Sequence, residues 1–296
     1  MNDMRKTPVA DQSSWKAPDI RDHSEQWAHV LSADDVREIE AALEHVNAKG
    51  LAAEKITRDD FPLPSVQKLL SKILKQVHDG FGFCSVHGLP GHVVDMGGRL
   101  GEDRVRGYQT NQKLKFHTDR ADMSALYCFQ PAPKGGTTKV ASSTAIHDEI
   151  MATRPELLEH LYYGYPFMHM EEKGDAEPCR IPVYSLAENY LSCTLQADPV
   201  EKAIREQILP VSEEAIVALA LFHELACKPE FHLDFNMQKG DMLFNNNFTM
   251  LHCRTKFEDA PDPAKRRHLF RLWLAFNEPR PTAINFANYG GIQKEN

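Results

Sequence analysis

Hydrophobic residues recur every three or four positions in two segments of the first third of the chain, residues 36–46 and 66–77. This spacing places them on one face of a helix, so both segments are predicted to be amphipathic helices that pack against a core. A serine precedes each segment as an N-cap and a glycine follows it as a stop, at Ser32, Gly50, Ser65 and Gly80.

Beyond residue 80 the helical period gives way to short apolar runs bounded by turn residues, which is typical of β-strands. Predicted strands lie within residues 81–90, 104–119, 123–133, 137–143, 231–237, 242–247, 249–254 and 266–276. Between the two groups of strands, residues 143–230 are predicted to form a helical and irregular insert, with one helix after Ser212. The pattern predicts a mainly β fold with flanking helices, a double-sheet barrel forming one domain over residues 32–296. Residues 1–31 are polar and are predicted to form an N-terminal arm, either laid on the surface or disordered.

The chain has 296 residues, and its 34 Lys and Arg against 42 Asp and Glu give a formal net charge of −8 at pH 7. Such a chain lacks the basic face that phosphate binding needs, so nucleic acid is not expected as a partner. No apolar run is long enough to span a bilayer, and the N-terminus has no apolar stretch typical of a secretory signal. The six cysteines form no CxxC pair. These features predict a cytoplasmic protein with no membrane contact, and they leave an oligomer open.

Three side chains with metal-ligand chemistry lie on predicted strands. His117 and Asp119 are two residues apart, and on a strand such residues face the same side. His252 lies at the end of a late predicted strand. Two histidines and one carboxylate form the facial triad of non-haem Fe(II) oxygenases, which leaves three coordination positions open for a cosubstrate and O₂.

A second His-x-Asp triplet occurs at residues 232–234, but it lies so close to His252 in sequence that little more than a hairpin fits between them. His117 lies far upstream, so its strand can meet that of His252 in a barrel, and the first triplet is preferred. Arg267 and Arg271 are four residues apart on one predicted strand and share a face. A guanidinium inside a barrel suits a bidentate hold on a carboxylate, which indicates 2-oxoglutarate as the cosubstrate.

Four stretches of the chain, in the same order, resemble the taurine dioxygenase/clavaminate synthase-like (TauD/TfdA) family of Fe(II)/2-oxoglutarate-dependent oxygenases. They are ITRDDFPLPS (56–65), GFGFCSVHGLP (80–90), RGYQTNQKLKFHTDRADMSALYCFQPAPKGGTTKVASS (106–143) and FNNNFTMLHCRTKFEDAPDPAKRRHLFRLWLAF (244–276). The resemblance implies the fold of this family, a double-stranded β-helix or cupin-like jelly roll.

By this resemblance His117, Asp119 and His252 correspond to the iron ligands. Thr138 follows a double glycine and corresponds to the hydroxyl that helps to hold the C5 carboxylate of 2-oxoglutarate. Arg267 corresponds to the arginine that pairs with the same carboxylate.

Other residues are expected near the substrate. Arg271 resembles a second arginine of the family, often near the substrate or its carboxylate, and Arg266 ranks second to Arg267 because it points to the opposite face of the strand. Tyr108, Asn111 and Arg120 flank the site in sequence or strand register and are candidate substrate contacts. An arginine at such a site suits a small carboxylate-bearing molecule such as an amino acid.

The resemblance therefore implies a dioxygenase that uses Fe(II), 2-oxoglutarate and O₂ to hydroxylate a small molecule, with desaturation or cyclisation as other outcomes of the same chemistry. One departure is that the chain between Pro90 and the iron ligands is shorter than is usual in the family, where this region helps to wall the substrate pocket. Two alternatives stay open: a catalytically impaired member acting as a binding or regulatory protein, and a metal-binding cupin-like protein without 2-oxoglutarate.

Overall fold

The computed structural model describes residues 4–52, 55–89, 111–167 and 178–283. Its α-helices are α1 (Ala17–Ile20), α2 (Ala33–Lys49), α3 (Val66–Asp79), α4 (Ser143–Thr153), α5 (Leu158–Tyr163), α6 (Ala197–Arg205) and α7 (Glu213–Cys227). Its strands are β1 (Ala28–Val30), β2 (Phe83–His87), β3 (Leu114–His117), β4 (Met123–Gln130), β5 (Lys134–Gly135), β6 (Thr138–Ser142), β7 (Tyr165–Phe167), β8 (Cys179–Ile181), β9 (Tyr184–Ala187), β10 (Tyr190–Cys193), β11 (His232–Phe235), β12 (Met242–Asn246), β13 (Met250–Arg254), β14 (Phe257–Glu258) and β15 (His268–Leu274).

The predicted helices begin directly after their predicted cap serines, but Ser65 makes no side-chain capping hydrogen bond to α3, contrary to the prediction. Ser32 accepts a hydrogen bond from the backbone of Asp35 and so caps α2, and Gly50 ends the helix with a left-handed φ of 62°. Ser212 caps α7 in the same way. Among the described residues no helix is long and apolar enough to cross a membrane.

Two sheets form the centre of the fold. A five-stranded sheet has the order β1-β2-β12-β4-β15, and a four-stranded sheet has the order β11-β6-β13-β3. All pairs in these sheets are antiparallel except β1 with β2. The remaining described strands form three two-stranded sheets, β9 with β10, β5 with β14 and β7 with β8. The two central sheets are not joined by hydrogen bonds into a closed barrel among the described residues, so the mainly β class is confirmed while closure of the sheet is not seen.

Apolar side chains fill the space between the two central sheets and also cover the outer face of each sheet. Residues from both sheets, among them Phe83, Val140, Leu243 and Met250, form one buried cluster with Trp15 of the N-terminal segment. The outer face of the five-stranded sheet packs against α2 and α3, and that of the four-stranded sheet packs against α4, α5 and α7. This helical cover holds the sheets as a rigid frame for polar side chains between them.

The described part of the N-terminal arm is tied to the rest of the chain. Trp15 is buried and its indole Nε1 donates to the Phe81 carbonyl at 2.9 Å. The backbone N–H of Val9 donates to the Asp148 carboxylate at 3.0 Å, and β1 extends the five-stranded sheet. The division into this arm and a single domain over residues 32–296 stays a prediction.

A glycine turn joins the two central sheets at β5, and it carries a prediction on stability. Gly135 has a φ of +75°, and a Cβ there would overlap the carbonyl oxygen of Lys256. We expect Gly135→Ala to lower the free energy of unfolding by about 2 kcal/mol, because the strain of a left-handed alanine adds to that overlap. Urea denaturation measures the change.

Gly50→Ala is the matched control for this variant. Gly50 also has a left-handed φ, of +62°, but nothing lies within 4 Å of its added Cβ. This control should lose only about 1 kcal/mol, the cost of the backbone conformation alone. Equal losses in the two variants would show that the close approach of Lys256 to the turn is not tight.

Candidate functional site

The two histidines of the predicted triad face each other across paired strands of the four-stranded sheet. His117 at the end of β3 and His252 in the middle of β13 are direct cross-strand partners. Their ring centroids are 4.4 Å apart. The pairing confirms that strands distant in sequence bring the two imidazoles together.

Asp119 lies two residues beyond the end of β3, so strand alternation does not set its position, contrary to the prediction. Hydrogen bonds hold it instead. Its backbone N–H donates to Oδ1 of Asn247 at 3.0 Å, and Nδ2 of Asn247 donates to the Ala121 carbonyl at 2.9 Å. The Asn247 side chain therefore fixes the loop that carries Asp119, a role that the sequence did not reveal.

The three predicted ligands meet at one point. One ligand atom from each of His117, Asp119 and His252 lies within 4.8 Å of the others, and Oδ2 of Asp119 is 3.5 Å from Nε2 of His252. Oδ2 is buried and has no hydrogen-bond partner. Because an unpaired buried carboxylate oxygen is costly, a cation bound at this point would satisfy it, and the donor set of two imidazoles and one carboxylate fits Fe(II).

The protonation states of the site favour metal binding. Burial, with the nearby His117, lowers the pKa of His252 to about 3 even though Asp119 opposes the shift, so this imidazole is neutral at pH 7. Burial alone would raise the pKa of Asp119, but His252, Arg271 and His117 together lower it. Nδ1 of His117 lies 2.8 Å from the Lys115 carbonyl, so it carries the proton and Nε2 keeps its lone pair for a metal.

The second His-x-Asp triplet does not join this cluster. Nδ1 of His232 lies 3.0 Å from the Ala226 carbonyl, and its Nε2 lies 3.0 Å from Nζ of Lys139. Lys139 also pairs with Asp234 at 3.0 Å. Both nitrogens of His232 are thus occupied by other partners, in agreement with the preference for the first triplet.

Arg267 lies beside the glycine turn and lines a cavity of about 180 Å³. A Cβ added to Gly136 would lie 3.0 Å from Nε of Arg267, so the second glycine leaves room for this side chain. Burial lowers the pKa of Arg267 from its ordinary value, which indicates that its charge is poorly hydrated. Thr138 is buried near this turn, with its hydroxyl 4.0 Å from Sδ of Met237.

The predicted strand geometry of the arginines needs a correction. β15 begins at His268, and its register shifts between His268 and Leu269, so Arg267 lies outside the strand and does not share its alternation with Arg271. The backbone N–H of Arg267 donates to Oδ1 of Asp259 at 2.8 Å, which anchors it instead. Arg266 is exposed, while Arg267 is half-buried, which keeps Arg267 ahead as the candidate anion ligand.

The candidate substrate residues have different surroundings. Nη1 of Arg271 donates to Oδ1 of Asp119 at 2.8 Å, so this arginine contacts a triad residue directly. Arg120 is half-buried next to Asp119 in the chain. Asn111 is exposed and its carbonyl accepts a hydrogen bond from the backbone N–H of Phe257. Tyr108 lies outside the described residues.

Sequence reasoning missed a buried arginine next to the site. Arg254 lies two residues after His252 on β13 and is only 5% exposed. Its guanidinium lies 4.7 Å from the centre of the Phe257 ring, and that of Arg267 lies 5.1 Å from the same ring. Burial, with the charge of Arg267, lowers the pKa of Arg254 to about 10. Its i+2 relation to His252 was the signal that could have placed it on the same face.

His117, Asp119 and His252 form a cluster that could hold a metal ion, with Asp119 and His252 buried and His117 partly buried. Comparisons with known proteins identify the family. Residues 44–273 match the Taurine catabolism dioxygenase TauD, TfdA family. FR-33289 synthase of Streptomyces rubellomurinus is 29% identical over 98% of this chain and 97% of its own length. The taurine hydroxylase-like protein SAT17 of Stachybotrys chartarum is 28% identical over 84% of this chain and 75% of its own length.

Solved structures share the fold at low sequence identity. An asparagine oxygenase in complex with Fe(II), 3-hydroxyasparagine and succinate superposes with a TM-score of 0.64 at 14% identity, covering 84% of this chain and 93% of that chain. The non-heme iron oxygenase OrfP in complex with Fe and alpha-ketoglutaric acid gives a TM-score of 0.58 at 15% identity with the same coverage.

The chain belongs to the TauD, TfdA family, because the match covers most of its length. The predictions of this family, of its jelly-roll fold class and of a dioxygenase are thereby confirmed. The predicted use of iron and 2-oxoglutarate agrees with the groups bound in solved structures of the same fold.

Proposed function

We propose that this chain is a non-haem Fe(II)- and 2-oxoglutarate-dependent dioxygenase in which His117, Asp119 and His252 hold the metal. The single observation that carries the proposal is the convergence of the three ligand atoms within 4.8 Å around a carboxylate oxygen that has no other partner. A protein that had lost metal binding would have no physical need for this arrangement, which argues against the impaired-member and regulatory alternatives.

When bound, Fe(II) with 2-oxoglutarate supplies the oxidation of a substrate C–H bond by O₂, coupled to decarboxylation of the cosubstrate. The protein's own part is position and charge. Neutral His252 and the free Nε2 of His117 offer lone pairs, and ionised Asp119 offers the negative charge that offsets the metal. Because these residues would supply only three ligands, coordination positions would remain for the cosubstrate and O₂.

The cavity beside the glycine turn is proposed to take the far carboxylate of 2-oxoglutarate. Arg267 lines it with a poorly hydrated guanidinium, whereas Thr138 is buried next to the same turn without lining the cavity and is retained as a ligand only by the family resemblance. A guanidinium and a hydroxyl can together donate charge-assisted hydrogen bonds to both oxygens of a carboxylate. Among the described residues, Cys128, Met237 and Leu269 also line the cavity.

The substrate is proposed to be a small carboxylate-bearing molecule such as an amino acid. Arg271 and Arg120 bring positive charge to the neighbourhood of Asp119, and Asn111 and Tyr108 stay candidate contacts from the sequence. The asparagine oxygenase was solved with 3-hydroxyasparagine, and OrfP with (3S)-hydroxy-L-Arg. These relatives support an amino-acid substrate and hydroxylation as the outcome, with desaturation or cyclisation as alternatives.

The location and the partners of the protein are also proposals. We propose that it acts in the cytoplasm on a small molecule and binds neither nucleic acid nor membrane. The charge of −8 and the absence of a membrane-spanning helix among the described residues support this.

Succinate release tests the proposed function. The protein is supplied with Fe(II), 2-oxoglutarate and O₂ and is screened against free amino acids, their amides and other small carboxylates. We expect one class of compound to be consumed with the release of an equal amount of succinate. The mass of that compound should rise by one oxygen atom. Metal and 2-oxoglutarate binding without succinate release from any compound of the panel would favour the regulatory alternative. Failure to bind 2-oxoglutarate would favour the cupin-like one.

A further inference from the structure

Asp119 is bound on one side by an arginine that the family resemblance assigns to the substrate. Nη1 of Arg271 lies 2.8 Å from Oδ1, and the Asp119 side chain is only 5% exposed, against 27% for Arg271. A hydrogen bond between a guanidinium and a carboxylate is strong and directional when it is shielded from water. It occupies Oδ1 and leaves Oδ2, the oxygen without a hydrogen-bond partner, on the side of His252.

Trp273 completes this arrangement from the same strand. The Arg271 guanidinium lies 5.0 Å from the centre of the Trp273 ring, a distance at which a cation is attracted to an indole face. Arg271 and Trp273 both lie on β15, which pairs with β4 and places Arg271 opposite Leu126 and Trp273 opposite Ser124. The ring thus limits where the guanidinium can lie.

We propose that Arg271 is a positioning residue that holds Asp119 through Oδ1 and turns Oδ2 towards the two imidazoles, and that Trp273 supports it by holding the Arg271 guanidinium in place. The proposal rests on the proposed function, in which the three side chains hold Fe(II). It gives Arg271 a role in metal binding besides, or in place of, contact with the substrate carboxylate. It also assigns a role to Trp273, which is not among the residues predicted from the sequence.

Replacing Arg271 should change the metal affinity in opposite directions, depending on whether Arg271 acts through its charge or by orienting Asp119. A guanidinium next to the site repels a divalent cation, so its removal strengthens metal binding if charge alone matters. Loss of a group that orients a ligand typically weakens metal binding 10- to 100-fold. The sign of the change therefore separates a positioning residue from a bystander charge.

The test measures binding of Fe(II) alone to the full chain, by anaerobic calorimetry without 2-oxoglutarate or substrate. We expect Arg271→Met to weaken the Kd about 10- to 100-fold and Trp273→Phe to weaken it several-fold. Arg271→Lys, which keeps the charge without the planar fork, should also bind more weakly than the unaltered protein. Leu272→Ser is the matched control, because Leu272 lies between the two residues on β15 and is 60% exposed.

Unchanged or tighter Fe(II) binding by Arg271→Met would overturn the proposal that Arg271 positions Asp119. Arg271 would then remain only a candidate substrate contact, and the proposed function would stand. If that variant does not fold by circular dichroism, Trp273→Phe decides, and a Kd equal to that of Leu272→Ser would overturn the proposal. Absence of Fe(II) binding by the unaltered protein would overturn the proposed function itself.

Discussion

Fe(II) affinity is expected to fall more than about 100-fold when Asp119 is replaced by asparagine, because loss of a supporting residue alone already costs 10- to 100-fold. The amide keeps the size of the side chain but removes its negative charge and one strong metal-binding oxygen. The two neutral imidazoles of His117 and His252 then face Fe(II) without the carboxylate that offsets its charge. Anaerobic calorimetry with Fe(II) alone measures the loss.

Asp234→Asn is the matched control, since Asp234 also lies two residues after a histidine and also carries one carboxylate. It pairs with Lys139 away from the cluster and is half exposed, so Fe(II) affinity should stay within about twofold of the unaltered protein. Circular dichroism of both variants checks the fold. A loss of Fe(II) affinity in Asp234→Asn with normal affinity in Asp119→Asn would mean that the wrong triplet has been assigned.

The second large effect is expected at Arg267. Replacing Arg267 with methionine removes the guanidinium that lines the cavity beside the glycine turn, and we expect 2-oxoglutarate to bind about 10- to 100-fold more weakly. This follows from about 1.5–3 kcal/mol for a hydrogen bond to a charged group. Calorimetric titration of the Fe(II)-loaded protein with 2-oxoglutarate under anaerobic conditions measures the affinity, and the Fe(II) affinity should be unchanged.

Arg266→Met provides the comparison, because Arg266 is the neighbouring residue and is exposed. It should bind 2-oxoglutarate as the unaltered protein does. If the loss occurs in Arg266→Met and not in Arg267→Met, the cosubstrate role passes to Arg266. If neither variant changes the affinity, Arg271 or the buried Arg254 holds the carboxylate.

Much of the fold could be predicted because local signals agree with the tertiary structure. Capping residues such as Ser32 and Ser212 marked the helix starts, and the change of period after residue 80 marked the strands. The pairing of His117 with His252 was predictable only through the expectation that distant strands meet, since nothing local in either segment specifies its partner.

The positions of several site residues could not be predicted, because they depend on tertiary contacts and not on the alternation of side chains along a strand. Asp119 and Arg267 both lie just outside their strands, where hydrogen bonds to Asn247 and Asp259 set the chain direction. The register shift at the start of β15 breaks the simple counting of faces that placed Arg267 with Arg271. The engagement of Arg271 with a triad carboxylate likewise follows from the tertiary structure alone.

A spectroscopic titration tests whether His117, Asp119 and His252 hold Fe(II) together with 2-oxoglutarate. The unaltered protein is mixed anaerobically with Fe(II), and 2-oxoglutarate is then added while the visible spectrum is recorded. We expect a metal-to-ligand charge-transfer band that saturates at one 2-oxoglutarate and one Fe(II) per chain and is absent in His252→Ala. No band with the unaltered protein, or an equal band with His252→Ala, would contradict it.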